Sequence, residues 1–334
     1  MSYSFKLSRR VARLRLPLAA FLAVSLAACD NTDSLNPESS SPEAIDIPST
    51  DPLGSIEEDT PLEEDGLVQL APVGEPQTAS ASFAGGIPMG MFALPTGYFN
   101  GTYNGAFRNI SPTQMRSELA AIKSRGGKVV LMFAGPYQYY QDAADHFSMT
   151  RWRERVNRYR GVDFDQYVND GTVIGHYLID EPNDKANWGG RPVTPAEVEE
   201  MARYSKSLWP NMPTIVRVDA TYLAYNHRYL DAAWAQYVTR KGTPSDYINR
   251  NVAAAKDRGL ALITGLNVIK GGPNASRLSP SQVREFGSTI LNNSYPCAFI
   301  SWQWRDVVDN SSYHDAMKTL RSKAQSRPAK SCRS

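Results

Sequence analysis

The chain has 334 residues, of which 42% are hydrophobic, with 36 Lys and Arg against 34 Asp and Glu. The formal net charge of +2 hides a strong asymmetry along the chain. No basic helix and no recognisable nucleic-acid motif occurs, so nucleic acid is not expected as a partner.

Residues 1–28 carry Lys6, Arg9, Arg10, Arg13 and Arg15, followed by an apolar run from Leu16 to Ala28. The run is too short to span a bilayer, which takes about 20 residues. A basic head, a short apolar core and a small-residue exit make a secretory signal peptide. The exit, Leu26-Ala27-Ala28-Cys29, resembles the bacterial lipobox. That resemblance implies diacylation of Cys29, which becomes the new N-terminus, and a lipid anchor in the bacterial cell envelope. The globular part is then extracytoplasmic and the membrane is a partner through the lipid. The alternative is an ordinary signal peptide with a chance cysteine.

Residues 30–82 hold 13 Asp or Glu, no Lys or Arg and no aromatic residue. Such a stretch buries too little apolar surface to offset its chain entropy, which predicts disorder. As a flexible coil it averages roughly 40 Å end to end. Residues 29–82 therefore read as a lipidated cysteine on an acidic tether. With five basic residues in 1–28 and 13 acidic ones in 30–82 set aside, residues 83–334 keep 31 basic against 21 acidic, a balance of +10.

The 252 residues from 83 to 334 match the size of one (β/α)8 barrel. Short apolar runs alternate with amphipathic stretches, the order of a parallel sheet. The predicted elements run as follows: a strand at Ile87–Leu94; a helix from Ser111-Pro112 to Gly126-Gly127; a strand at Lys128–Ala134; a helix capped by Ser148 to about Arg160, with more helix through Tyr167; and a strand at Val173–Asp180. A helix starts at Thr194-Pro195 and ends near Leu208, followed by a strand at Thr214–Asp219 and a weaker strand or helix at Ala232–Val238. Then come a helix from Thr243-Pro244, a strand at Leu260–Val268, a helix from Ser279-Pro280, a strand at Cys297–Trp304 and a helix over Tyr313–Ala324. Serine or threonine followed by proline is a cap with a first-turn proline. Seven strands are counted where a TIM-type barrel needs eight. Either one is hidden in 96–110 or 136–147, or the barrel is irregular. An open doubly wound sheet is the alternative fold; against it, no phosphate-cradling glycine loop follows the first strand.

Cys297 and Cys332 are left once Cys29 is assigned. An oxidising compartment favours their pairing, which pins the C-terminal tail to the barrel.

In a barrel the strand ends share one mouth, where the chemistry sits. The residues there are Tyr137 and Tyr139, Asp180-Glu181, Arg217 and Asp219, Asn267, then Trp302, Gln303, Trp304 and Asp306. Indoles offer faces to sugar C–H groups, and amides and charges pair with hydroxyls. Glycosidic cleavage needs one carboxylic acid for the leaving oxygen and a second carboxylate as nucleophile or base. Asp180-Glu181-Pro182 resembles the Asn-Glu-Pro motif at a barrel strand end in the large clan of retaining glycoside hydrolases. The resemblance implies that Glu181 is the acid/base. Trp302 is similar to the tryptophan that many of these enzymes place under the sugar. Two positions depart from the clan: Asp180 replaces the asparagine, and Leu260–Val268 ends in Asn267 where the clan has its nucleophilic glutamate. Asp219 is the best substitute for the second carboxylate, with Asp180 or Asp306 next. Arg217 would fix a sugar hydroxyl or a carboxylate, Trp302 and Trp304 would form a platform, Tyr137 would stack, and Trp188 in Trp188-Gly189-Gly190 would act as a lid or pack its loop.

The reading is a glycosidase-like lipoprotein. The alternative is a non-catalytic carbohydrate-binding or scaffold lipoprotein that has lost the second carboxylate. Four scattered histidines (146, 176, 227 and 314) show no HExxH spacing, so no metal or other cofactor is called for. His176 either orients Asp180 or is a satisfied core histidine. The absence of a G-x-S-x-G elbow disfavours a serine hydrolase.

Overall fold

A computed structural model describes residues 86–224 and 226–333. The signal peptide, Cys29 and the acidic tether expected over 1–82 lie outside the described residues. Eight parallel strands close into a barrel in sequence order: β1 Met89–Phe92, β2 Gly105–Arg108, β3 Lys128–Met132, β4 Val173–Asp180, β5 Thr214–Arg217, β6 Ala232–Tyr237, β7 Ala261–Leu266 and β8 Ala298–Ser301. Closure comes from β1 pairing with β8, with Gly90 opposite Ile300. The fold is thus the TIM-type (β/α)8 barrel, and the open sheet is excluded.

The uncounted strand is β2, inside 96–110. It is only four residues long and starts on a glycine. Packing dictates that glycine: a Cβ on it would lie 2.9 Å from the Met89 backbone nitrogen, and one on the facing Gly90 would lie 1.6 Å from the Gly105 carbonyl oxygen. Two strands approach this closely only without side chains there.

Among the described residues seven helices surround the barrel: α1 Met115–Ser124, α2 Met149–Asn157, α3 Asp165–Asn169, α4 Pro195–Leu208, α5 Pro244–Asp257, α6 Pro280–Leu291 and α7 Ser311–Gln325. Four begin as their sequence dictates, the first of them α2, where the Ser148 hydroxyl accepts the Arg151 N–H at 3.4 Å. Thr194 accepts the Glu197 N–H at 3.2 Å while the Glu197 carboxylate accepts the Thr194 N–H at 2.7 Å. Ser279 and Gln282 form the same box on α6, and Thr243 accepts the Asp246 N–H on α5. Each box satisfies backbone donors that a helix start leaves orphaned. α1 departs from expectation. Ser111 bonds the Thr113 and Gln114 side chains instead of a backbone N–H, and the Ser111 carbonyl accepts the Gln114 N–H, so a turn precedes the helix. The helix expected from Ser148 to about Arg160 ends at Asn157, and the further helix expected through Tyr167 is the separate α3, with Gly161 between them at φ 82°.

Apolar side chains fill the layer between barrel and helices. His176 belongs to this layer. It is fully buried against Phe133, Trp152 and Trp209, with Nδ1 2.8 Å from the Ser205 hydroxyl. Burial pushes its imidazole down to about 3, so it is neutral. Of the two readings of His176, the core residue is the one found, with Ser205 and not Asp180 as its partner. Cys297 and Cys332 form the expected disulfide, with Cα atoms 5.3 Å apart. It ties the tail after α7 to the start of β8, at the foot of the barrel.

Candidate active site

Inward side chains close the barrel with an aromatic floor. Phe92 from β1 stacks on Phe107 from β2 at 4.2 Å between centroids, and lies 4.7 Å from Trp234 of β6 and 4.7 Å from Trp302 beyond β8. Tyr177 of β4 meets Phe107 edge-on at 4.8 Å. This floor excludes water from below the mouth. Charges directly above it therefore interact in a medium of reduced dielectric.

Arg217, at the end of β5, lies over that floor with its guanidinium 5.2 Å from the Trp302 ring centre. Its Nε donates to Asp180 and, at 3.2 Å, to the Tyr177 hydroxyl. One terminal nitrogen donates to Gln236 Oε1 at 2.6 Å, and the other lies 3.4 Å from Glu181 Oε1. Burial alone would push the guanidinium down. Asp180 and Glu181 beside it outweigh that effect, so it stays charged.

Asp180 joins this network because β4 is irregular. Its register with β5 shifts between Tyr177 and Asp180. Simple alternation would send Asp180 the way of His176, outward. The bulge turns it to the side of Tyr177, toward Arg217.

Glu181 follows with a left-handed backbone, φ 38°. Non-glycine residues adopt this conformation only when their surroundings impose it. Here the Glu181 N–H donates to the Arg217 carbonyl at 2.9 Å. Its own carbonyl accepts the Asp184 N–H at 2.9 Å and the Trp188 indole N–H at 3.1 Å. The side chain is 44% exposed and opens on the mouth. Arg217 is the largest influence on its carboxyl and pulls it down. Desolvation and the charges of Asp180 and Asp184 outweigh Arg217 and a weaker pull from Lys241, so the carboxyl sits above its ordinary value.

A cavity of about 370 Å³ lies beside it. Glu181, Asp184 and Asp219 line it on one side, and Gln236, Arg240, Lys241 and Asn267 on the other. The Lys241 ammonium donates to Asp219 Oδ1 at 2.7 Å and to the Gln236 carbonyl at 3.0 Å. Of the three carboxyls that line the cavity, two stand in contrasting settings: Glu181, raised and accessible, and Asp219, ion-paired.

The structure brings together Asp180, Glu181, Arg217, Asp219, Asn267 and Trp302. Trp304 parts from Trp302. It is buried against Tyr98 at 4.2 Å, Tyr103 and His314, away from the floor. Two-residue alternation fails there because β8 ends at Ser301. Trp188 is fully buried under Tyr137, Tyr140 and Phe147, so in this conformation it supports its loop and presents no face to the mouth. Tyr137 is exposed on the rim above it, and Asp306 is exposed on the short turn after Arg305. Sequence reasoning missed Tyr177, Asp184, Gln236, Arg240 and Lys241. The rule that strand ends line the mouth would have found Gln236 and the Arg240-Lys241 turn, had Ala232–Val238 been read firmly as a strand. Among the described residues no three His, Cys, Asp or Glu side chains gather as metal ligands would.

No protein-family profile and no curated protein matches the chain. Solved structures do. A glucosidase from Croceicoccus marinus superposes with TM-score 0.50 at 12% identity, over 72% of this chain and 68% of its own. ScGas2 superposes with TM-score 0.51 at 14% identity, over 75% of this chain and 68% of its own. At these identities the likeness establishes the barrel fold.

Proposed function

We propose that the protein is a glycosidase, with Glu181 as general acid/base and Asp219 as the second carboxylate. The observation that carries this reading is the accessible Glu181 carboxyl, held above its ordinary value, opening on a polar cavity that it shares with Asp219. A carboxyl raised in this way keeps a proton for the glycosidic oxygen at a pH where ordinary carboxylates have lost theirs. The proton goes to the leaving oxygen as the C–O bond breaks. Positive charge developing on the sugar is met by the Asp219 carboxylate, which either bonds to the anomeric carbon or takes a proton from the attacking water. Arg217 fixes Asp180 and steadies Glu181 in its carboxylate state. Trp302 offers an apolar edge to the sugar ring.

The test is a reducing-end release screen over envelope and plant polysaccharides, with the product anomer read by NMR. Loss of release in Glu181→Gln, with folding and glycan binding kept, is the expected result; full activity in that variant would falsify the assignment. A second reading has one observation in its favour: β7 leads into Asn267, not a glutamate, at the cavity wall. On that reading the protein binds glycans without cutting them, and the same screen shows binding but no release from the wild type.

We also place the barrel outside the cytoplasm. The Leu26–Cys29 lipobox resemblance and the acidic composition of 30–82 support a diacylated Cys29 and a tether to the envelope. Metabolic labelling with a fatty-acid analogue, lost in Cys29→Ala, tests this.

A further inference from the structure

Around the cavity, donor groups outnumber the acceptors that the protein gives them. Gln236 is buried, and while its Oε1 accepts from Arg217, its Nε2 has no hydrogen-bond partner. Asn267 uses its Oδ1 on the Lys270 N–H at 2.8 Å, which leaves its amide N–H groups to donate. Lys241 places two of its three ammonium protons, on Asp219 and on the Gln236 carbonyl. Arg240 lies on the rim of the same cavity, from the turn Thr239–Lys241, and makes no hydrogen bond or ion pair among the described residues. A buried amide donor without an acceptor is costly, and native structures keep such groups where a ligand or water completes them. Glu181, Asp184 and Asp219 also line the cavity, Glu181 beside Arg217 and Asp219 paired with Lys241.

The geometry points to an acidic sugar as the unit this cavity holds, with its carboxylate or sulfate ester accepting from Gln236 Nε2, Asn267 and Arg240. The inference rests on the glycosidase reading for its description of the ligand as a sugar, and adds the substrate class. Donors gathered on one wall attract the anionic substituent. The carboxylates of Glu181 and Asp184 repel it, so the charge also fixes which way the ring enters. The glycosidic oxygen then lies on the Glu181 side, and the anion lies toward β6 and β7.

The test compares a neutral glycan with its C6-carboxylate counterpart, made by oxidising the same polymer so that the linkage is constant. The O-sulfated polymer is a third arm, and several linkages are run in parallel. Binding is measured by calorimetry on full-chain Glu181→Gln protein, which leaves the glycan uncut. An acidic arm is expected to bind about 10-fold tighter than its neutral parent, the gain typical of charge-assisted hydrogen bonds. The advantage should shrink as salt rises. Arg240→Ala, at an exposed position, should bring the ratio of acidic to neutral affinity toward one, and Arg240→Lys should keep much of it. Gln236→Glu retains an acceptor for Arg217 but removes the donor, and should invert the preference. Whichever acidic arm wins identifies the anion. Equal or tighter binding of the neutral parent overturns the acidic-sugar inference and leaves the glycosidase proposal standing. Failure of every arm, neutral and acidic, overturns both.

Discussion

The two ends of the barrel solve opposite problems. At the foot, ion pairs and covalent ties dominate, and among the buried polar atoms there Arg327 keeps Nε and Nη1 without hydrogen-bond partners. Lys206 on α4 and Asp231 before β6 form an ion pair at 2.6 Å with both side chains buried. Asp231 also accepts the Thr214 N–H at 2.8 Å. The disulfide adds a covalent tie, and Lys330 in the tail donates to the Tyr295 carbonyl at 2.8 Å. At the mouth the same kinds of groups are left unsettled: a left-handed glutamate, a raised carboxyl and an amide donor without an acceptor. The contrast separates residues that hold the barrel from residues that await a ligand, as barrel architecture allows.

Substitutions can break or sharpen this division. The largest effect is expected at the mouth. Glu181→Gln should lower glycan hydrolysis by about 10²–10⁴-fold, the worth of a positioned general acid. Its thermal midpoint should stay at or above the wild-type value, because a carboxyl raised in the folded state destabilises the fold once ionised. A large loss of stability in this variant would erase the distinction. Asp231→Ala at the foot should do the reverse and cost roughly 3–5 kcal/mol in denaturant unfolding by stranding Lys206. The turnover of the protein that remains folded should not change. Cys332→Ser should cost roughly 3–4 kcal/mol, given the 35-residue separation that the bridge closes, again with activity retained.

The wall between the two ends responds to acid. His176 has a folded value of about 3 against 6.5 for an ordinary histidine, so the unfolded chain binds the extra proton between these limits. Stability is complete above pH 6.5 and falls toward pH 3, by about 1.4 kcal/mol per pH unit at full slope. His176→Phe should lose this part of the slope in urea titrations at several pH values, although it also lowers stability overall by stranding Ser205. The smallest effect is again at the mouth. Asp184 helps to hold the Glu181 carboxyl up, so Asp184→Asn should move the alkaline limb of the pH–rate profile to lower pH. An unmoved limb would mean that another group sets it.

Much of the scaffold was legible in the chain. Helix starts at Thr194, Thr243 and Ser279 were readable because capping is local chemistry between residues three apart. β2 escaped because a four-residue strand opening on Gly105 has no room to show a period, and its glycine answers to the Pro88–Met89 backbone of another strand. At the mouth, Asp180, Glu181, Arg217 and Asp219 were readable from strand ends alone. The separation of Trp302 from Trp304, and of Asp180 from His176, was not. Both depend on where alternation stops, at the end of β8 and at the β4 bulge, and backbone irregularity leaves no mark on the side-chain pattern. The Lys241–Asp219 pair spans 22 residues and follows only from the three-dimensional course of the loop after β6.

The backbone of Glu181 sets a trap for anyone improving this protein by directed evolution. At φ 38° any residue with a Cβ is strained there, by about 1–2 kcal/mol relative to glycine in the left-handed region. A library screened for heat tolerance alone would therefore enrich glycine at position 181. The clones that best survive the screen would be those that had discarded the proposed acid, so thermal and functional selection must be run together at this one codon.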